Sequence, residues 1–365
     1  MKDRKKIAIF HDFFGSIGGG EKLVLELAHG LKVHGIIVDI ITTEVNKKNL
    51  ERMGTGNTRI INLGNCIQIP ILKQIHSSWL FHKADFSKTY DFFILSGNWA
   101  VFAARKHRPN IYYVHTPVRM FYDSKKDFYE IAPWYAKLPF LLWVKIHGYY
   151  VQKQFKYVNK IIANSKNVHD RIRRYHRRDS IIINPPIKKY SFMRYGDYWL
   201  AVTRLYPHKR IDLLFDVFRA LPKEKLIIVG GYMKGDHSQK YMKSIIGNKP
   251  DNVEIIGEVD EKRLAKLYGE CKAFITLSKY EDFGMTVLEA NSAGKPVVAT
   301  DEGGHKETVM NKRTGILVKA EKTDIIKAIK SMSKDPALYK NNCVDNAEKY
   351  STKIFIKKIS ELILE

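Results

Sequence analysis

"SKYEDFGMTVLEANSAGKPVVATDEGGHKE", residues 278–307, decides the fold class. An apolar run, "AFITLS" (273–278), leads into it. An acidic turn follows, then Gly284, then the helical pattern "MTVLEANSAG", then a second apolar run, "PVVATD" (296–301), and a second glycine turn. Strand, turn, helix and strand in that order make a βαβ unit, and so a parallel sheet. The unit carries two glutamates, Glu281 and Glu289, eight positions apart around Phe-Gly-Met. Two carboxylates so placed suit an acid/base pair, a metal site, or two hydroxyl-binding groups for one ligand. Residues Phe283 to Thr286 open the helix, where free amides favour an anion. A glutamate in the first turns also suits the helix dipole on structural grounds alone.

The same alternation extends outward. "KIAIF", "IIVDIITT", "YDFFILSG", "IYYVHTP" and "KIIANS" read as buried strands of a first sheet, with helical stretches such as "GGGEKLVLELAHGLKVHG" and "NWAVFAARKH" between them. "YWLAVTRL", "KLIIVGG", "VEIIGEV", "AFITLS" and "PVVATD" read as strands of a second sheet, with helices at "RIDLLFDVFRAL", "DEKRLAKLYGEC" and "FGMTVLEANSAG". Continuous apolar strands mean sheets covered on both faces. Between the two sets lies "INPPIKK" (183–189), where Pro-Pro breaks any element. The expected architecture is α/β: two doubly wound, Rossmann-like parallel-sheet domains facing a cleft. Residues 1–187 form the first, residues 188–345 the second, and 346–365 a C-terminal helix packing back on the first. In such sheets ligands sit beyond the carboxyl ends of the strands.

A chain of 365 residues with 45% apolar content is folded and long enough for two cores. Cys66, Cys271 and Cys343 have neither zinc nor disulfide spacing, which suits a reducing compartment. The basic start lacks a signal-peptide pattern. No run reaches the ~18 apolar residues of a membrane span. "LPFLLWV" comes nearest, and it stops at Lys145. Net charge is +24 and uneven. Residues 1–190 hold 32 Lys and Arg against 14 Asp and Glu, so +18 of it lies there. The first half is expected to meet an anionic partner.

Two further motifs carry chemistry. "GSIGGGEKL" (15–23) is a glycine loop opening a helix, suited to an anion or to a plain tight turn. Leu23 stands where a dinucleotide fingerprint needs its last glycine, and the Lys-Ser/Thr of a P-loop is missing. "VTRLYPHKRID" (202–212) follows a strand and brings Arg204 and Lys209 across a proline turn, a spacing able to clamp a diphosphate.

Taken in order, "GGGEK", "YYVHTPVRMFYD", "IIANSKNVHDRIRRYHRRDSIIINPPI", "AVTRLYPHKRIDLLFDVF" and the glutamate block resemble the retaining family 4 glycosyltransferases of the GT-B fold (glycosyl transferases group 1) over nearly the whole chain. The middle segments are most similar to mannosyltransferases of O-antigen and other lipid-linked glycan synthesis. Val118 is a mild departure from their "HTP-M-R-aromatic-aromatic-D" form, and "NPPI" agrees with them.

The resemblance implies roles. Glu281 would bond the donor sugar hydroxyls and Glu289 the nucleotide ribose. Arg204 and Lys209 would neutralise the leaving diphosphate. Phe283, Gly284 and Met285 would give backbone contacts. Gly19 and Gly20 would face the donor phosphates from the first domain. His115 would sit near the reacting sugar carbon. Base recognition would fall on backbone near "IIGEV" (255–259), at Val259. The implied reaction retains the anomeric configuration and is metal-independent, with no cofactor besides the nucleotide-sugar substrate. No Asp-x-Asp occurs in the chain.

The expected donor is GDP-mannose, with a UDP-glucose, UDP-galactose or UDP-N-acetylhexosamine enzyme of the same fold as alternative. The expected acceptor is a lipid-linked saccharide or polysaccharide precursor. Its meeting place would be the basic first domain, where "PWYAKLPFLLWVKIHGYYVQKQFKYVNK" and the arginines of "RIRRYHRR" suit an anionic membrane surface. That makes the expected location cytoplasmic, peripheral on the inner face of the membrane. A nucleic-acid-binding protein would also be basic, but no helix-turn-helix, zinc-finger or RNP-type signature is present and the glutamate block would be unexplained. A phosphorylase of related fold would need a Schiff-base lysine, for which no convincing site appears.

Overall fold

Each of the ten apolar runs read as strands becomes one, as expected of strands covered on both faces. The computed structural model describes residues 4–15, 18–231, 241 and 244–364. The chain divides into two units, Met1–Pro185 with Thr352–Glu365, and Pro186–Ser351. The division falls inside the Pro-Pro linker, and the last helix belongs to the first unit.

The first unit is a seven-stranded sheet of order β3-β2-β1-β4-β5-β6-β7. Its strands are β1 (Lys6–His11), β2 (Ile37–Thr42), β3 (Arg59–Asn62), β4 (Phe92–Ser96), β5 (Asn110–Val114), β6 (Lys160–Ala163) and β7 (Ile181–Ile182). All pairs are parallel; Ile9 faces Ile40 on one side and Ile94 on the other. The helices are α1 (Gly19–Val33), α2 (Lys47–Met53), α3 (Leu72–Lys83), α4 (Lys125–Ile131), α5 (Trp134–Gln154) and α6 (Lys166–His176). Phe10, Phe93 and Tyr112 point to the face covered by α3 and α5. Ile9, Ile94 and Tyr113 point to the face covered by α1 and the C-terminal helix.

The second unit repeats the order in six parallel strands, β10-β9-β8-β11-β12-β13. They are β8 (Tyr198–Val202), β9 (Lys225–Val229), β10 (Val253–Gly257), β11 (Ala273–Thr276), β12 (Val297–Thr300) and β13 (Gly315–Val318). Its helices include α7 (Ile211–Arg219), α8 (Glu261–Glu270), α9 (Met285–Ser292), α10 (His305–Thr308), α11 (Lys322–Met332) and α12 (Lys340–Glu348). α13 (Thr352–Leu364) then returns to the first unit. In both sheets the order reverses beside the central strand, at β1/β4 and at β8/β11. That is the switch point where doubly wound sheets bind ligands.

One helical expectation fails. "NWAVFAARKH" is a short 3-10 turn at Ala100–Ala103, not an α-helix. The Asp12 carboxylate holds it: it accepts the amides of Asn98 at 2.6 Å, Trp99 at 2.8 Å and Ala100 at 2.8 Å. Three amides fixed on one side chain stop the segment from winding regularly. Gly97, at φ +106, allows the approach, since a Cβ there would lie 2.5 Å from the Asp12 carboxyl carbon. β3, β7 and β13 were not foreseen; β3 and β7 have four and two residues, and β13 sits between loops.

α13 is bound by its apolar face. Phe355, Ile356, Ile359 and Ile363 are buried, and the Phe355 ring meets Tyr113 edge-on with centroids 5.9 Å apart. Gly30 of α1 leaves room for Ile356, whose side-chain carbons lie 2.4 Å from where a Cβ would stand. Phe355→Ala is expected to cost about 3–5 kcal/mol, seen as a clear drop in the midpoint of thermal unfolding. An unchanged midpoint would contradict the anchoring role of α13.

Candidate active site

In the second unit three loops leave the carboxyl ends of β8, β11 and β12, and they are tied together. The Lys279 amide donates to the His208 carbonyl at 2.9 Å. The Gly304 amide donates to the Glu281 carbonyl at 2.9 Å. Arg210 grips Glu302 with both guanidinium nitrogens, each at 3.1 Å, and also donates to the Leu277 carbonyl at 3.1 Å. A planar fork on a carboxylate fixes orientation as well as distance. Gly303 and Gly304 are required by the close approach. A Cβ on Gly303 would lie 2.4 Å from the Glu281 carbonyl oxygen, and one on Gly304 2.5 Å from the Phe283 Cα.

Glu281 sits in this frame. Its Oε2 lies 2.9 Å from the Lys209 Nζ, and the two side chains are 22% and 19% exposed. Burial by itself would push the carboxyl up. The Lys209 ammonium and nearby His305 overcome that and hold it at about 2. Lys209, which the sequence grouped with Arg204, is paired with Glu281, 72 positions away. Arg204 is exposed. Phe283 is buried, Gly284 takes φ +98, and Met285 starts α9. The amides of that turn open a helix of eight residues.

Glu289 lies one turn deeper along α9. Its Oε2 accepts from the Tyr268 hydroxyl at 3.0 Å, and the Tyr268 ring stacks on Tyr190 with centroids 4.6 Å apart. Val259, just after β10, packs against the same apolar cluster. His305 is buried with Nδ1 3.2 Å from both oxygens of Thr300. Tyr268, Arg210, Glu302 and His305 were not foreseen. Glu302-Gly-Gly-His305 had a glycine-turn signal, but nothing in the sequence pointed Tyr268 at Glu289.

The first unit has a cluster at its own switch point. His11 ends β1, Ser96 ends β4, and His115 follows β5. The Ser96 Oγ lies 3.3 Å from His11 Nδ1 and 2.9 Å from His115 Nε2. Ser96 has one proton to give, so it donates to one imidazole and accepts from the other. Burial drives both histidines down, His11 to about 3 and His115 to about 4, so both are neutral near pH 7. Gly20, in the first turn of α1 beside Gly19, leaves its Cβ position 3.7 Å from each ring. A larger residue there would cover both imidazoles. Ser16 and Ile17 of the glycine loop lie outside the described residues. Asn164 donates to the His115 carbonyl at 2.8 Å. His11 and Ser96 were missed because a lone His or Ser at a strand end carries no signal of its own.

The arginine cluster at 171–178 is not one exposed surface. Arg171 is buried and bonds Thr116, the Pro117 carbonyl and Asp123. Arg178 donates to the carbonyls of Phe155 and Val158. Only Arg173, Arg174 and Arg177 stand out toward solvent. Two of the five arginines are thus spent on holding the His115 loop and the end of α5.

The ion pair gives a pH prediction. The folded value of Glu281 lies below its ordinary 4.5, so the ionised group contributes stability above pH 4.5 and loses it as pH falls through about 2. In Lys209→Met the burial cost is opposed by His305 and the Ser278 hydrogen bond, without the ammonium. The Glu281 carboxyl is then expected to titrate above its ordinary value in side-chain carbon NMR. An unchanged titration would show that Lys209 does not set the charge state.

Residues 17–188 match Glycosyltransferase Family 4, and residues 193–350 match Glycosyl transferases group 1. The chain is 23% identical to the alpha-1,3/1,6-mannosyltransferase ALG2 of Dictyostelium discoideum over 99% of its own length and 98% of that protein. It is 28% identical to the O-antigen chain mannosyltransferase B of Escherichia coli over 40% of its own length and 38% of that protein. The Anabaena HepE structure in complex with UDP and glucose superposes with a TM-score of 0.76 at 18% identity, covering 99% of this chain and 100% of that one. Both sheets thus have the form found in GT-B enzymes. The chain belongs to the group 1 glycosyl transferases, with a family 4 glycosyltransferase domain as its first half.

Proposed function

We propose that the chain is a retaining, metal-independent hexosyltransferase that moves mannose from GDP-mannose to a lipid-linked or polysaccharide-precursor acceptor. The observation that carries it is the Lys209–Glu281 pair, held on joined loops at the β8/β11 switch point beside the N-terminus of α9. A carboxylate kept ionised suits sugar hydroxyls, which donate to it. A helix start with an ammonium beside it suits phosphate.

In this reading Glu281 takes the sugar hydroxyls and Glu289, steadied by Tyr268, takes the ribose. Phe283, Gly284 and Met285 give backbone contacts. Arg204 and Lys209 meet the diphosphate, and Val259 lies by the base. From the first domain the reading takes Gly19 and Gly20 for phosphate and His115 for the reacting sugar. The bond from the anomeric carbon to the phosphate oxygen breaks, and the diphosphate leaves with the electron pair. The acceptor oxygen bonds to the same face of that carbon, and its proton passes to the departing phosphate. Charge growing on the phosphate is met by Arg204, Lys209 and the α9 amides, without a metal. Glu281 and Glu289 are then two holds on one donor, not the facing carboxyl pair of a hydrolase.

GDP-mannose is favoured by the mannosyltransferase relatives. A UDP-sugar donor is the second reading, supported by the fold shared with HepE. The acceptor is taken to be met at an anionic membrane surface by the basic first domain. Among the described residues no helix is long and apolar enough to cross a membrane.

A panel of nucleotide sugars with a lipid-extract acceptor tests the reading, with product linkage read by NMR. Transfer from GDP-mannose with the α configuration kept, and undiminished in EDTA, is the expected result. Preference for a UDP sugar, inversion, or an absolute metal requirement would each overturn its part. Glu281→Ala is expected to lower transfer by about 10²–10³-fold with the fold intact. Arg204→Ala is expected to weaken GDP binding by about tenfold or more in calorimetry. Wild-type behaviour of either variant would remove that residue from the site.

A further inference from the structure

α5 is apolar on both sides. Its inner side buries Phe140, Trp143, Val144 and His147. Its outer side presents Tyr135, Leu138, Leu142, Ile146 and Tyr149, spaced by three and four residues, so they form one stripe. Each is at least half exposed, from 51% at Leu142 to 67% at Tyr135. The stripe spans 14 residue steps, about 21 Å of helix. α3 lies alongside, with Ser78 Oγ 3.1 Å from His147 Nε2. It adds Leu72, Ile75 and Trp79, also exposed and also at helical spacing. Soluble monomers rarely leave this much apolar side chain on neighbouring helices uncovered.

The polar residues on these helices identify what covers the stripe. Neither α3 nor α5 contains an Asp or a Glu. α5 carries Lys137, Lys145 and Lys153, and Lys83 of α3 lies over the Trp79 ring at 4.3 Å. Lys73 is already paired with Glu44 at 2.6 Å and is not counted. Apolar side chains flanked by lysines, with no carboxylate on either helix and tyrosines toward both ends of the α5 stripe, match an anionic bilayer surface: the apolar groups enter the acyl boundary, and the lysines reach the headgroups. A second copy of the chain would bring lysines against lysines.

We infer that the outer face of α5, with Leu72, Ile75 and Trp79 of α3, is the surface by which the first domain docks on anionic lipid. This rests on the membrane-acting transferase proposed above and narrows the expected docking face, which took in both the α5 segment and the arginines of α6, to an inserted apolar stripe. The inner side of α5 leans on Phe121, whose ring lies 4.9 Å from Trp143, in the segment that follows His115. α5 is thus in direct contact with the segment that follows the proposed site residue His115.

The full chain is mixed with phosphatidylglycerol-containing vesicles and with pure phosphatidylcholine vesicles, and sedimented. Wild type is expected to bind the first and not the second, with a blue shift of tryptophan emission. Leu142→Gln with Ile146→Gln is expected to lower partitioning by at least about tenfold. Arg173→Gln with Arg174→Gln is expected to change it less. No vesicle binding, equal binding by the Leu142/Ile146 double variant, or a greater loss from the arginine pair would overturn the inference. So would a lipid-independent dimer in analytical ultracentrifugation that the Leu142/Ile146 variant abolishes. GDP and UDP binding is measured on the same samples. Vesicle binding without nucleotide affinity would sink the transferase reading and leave the docking face. Nucleotide affinity without vesicle binding would do the reverse.

Discussion

The Lys209–Glu281 ion pair is the constraint around which the second domain's site is organised. A carboxylate withdrawn from water is costly unless a positive charge and hydrogen bonds replace its hydration. Here the compensation comes from a residue on another loop, so the pair joins the β8 and β11 loops as well as meeting the charge. Arg210 and Glu302 join the β12 loop to the same frame, and Gly303 and Gly304 let the chain pass against the backbone of residues 281–283. A pair with these supports holds its geometry before any ligand arrives, which is what positioning a reacting ligand demands.

The first domain solves a similar problem with neutral groups. Asp12 gathers three amides and sets the loop after β4, while Ser96, at the end of β4, bridges His11 and His115. Both imidazoles are kept uncharged by burial. A neutral pair bridged by a hydroxyl can shift hydrogen bonds without gathering charge. The two sites thus divide the electrostatics, with the ion pair on one domain and the uncharged cluster on the other.

Much of the fold was legible because it is written in apolar runs. Strands of a doubly wound sheet are buried on both faces, so "KIAIF" and "FFILS" stand out from amphipathic helices. The short edge strands Arg59–Asn62 and Ile181–Ile182 did not, because an edge strand of two to four residues has too little apolar length to show. The Ala100–Ala103 turn was misread as a helix because its local pattern is helical, and the side chain that prevents the helix, Asp12, lies far away in sequence. The α5 segment was legible as an apolar, lysine-bearing stretch, but with both sides apolar its periodicity does not tell which side meets the core.

By itself the sequence determined the parallel α/β class, the break at Pro185-Pro186, the glutamates spaced by eight, and the basic excess of the first half. These are local or compositional properties, and periodicity, proline chemistry and charge counting reach them. Only the tertiary structure decided that Lys209 is held by Glu281, that Tyr268 steadies Glu289, that Ser96 bridges two histidines, and that Arg171 and Arg178 are spent indoors while α5 is left apolar outside. Each joins residues distant along the chain, and which of many possible partners a charged or polar group meets is set by how the strands order the loops at their carboxyl ends.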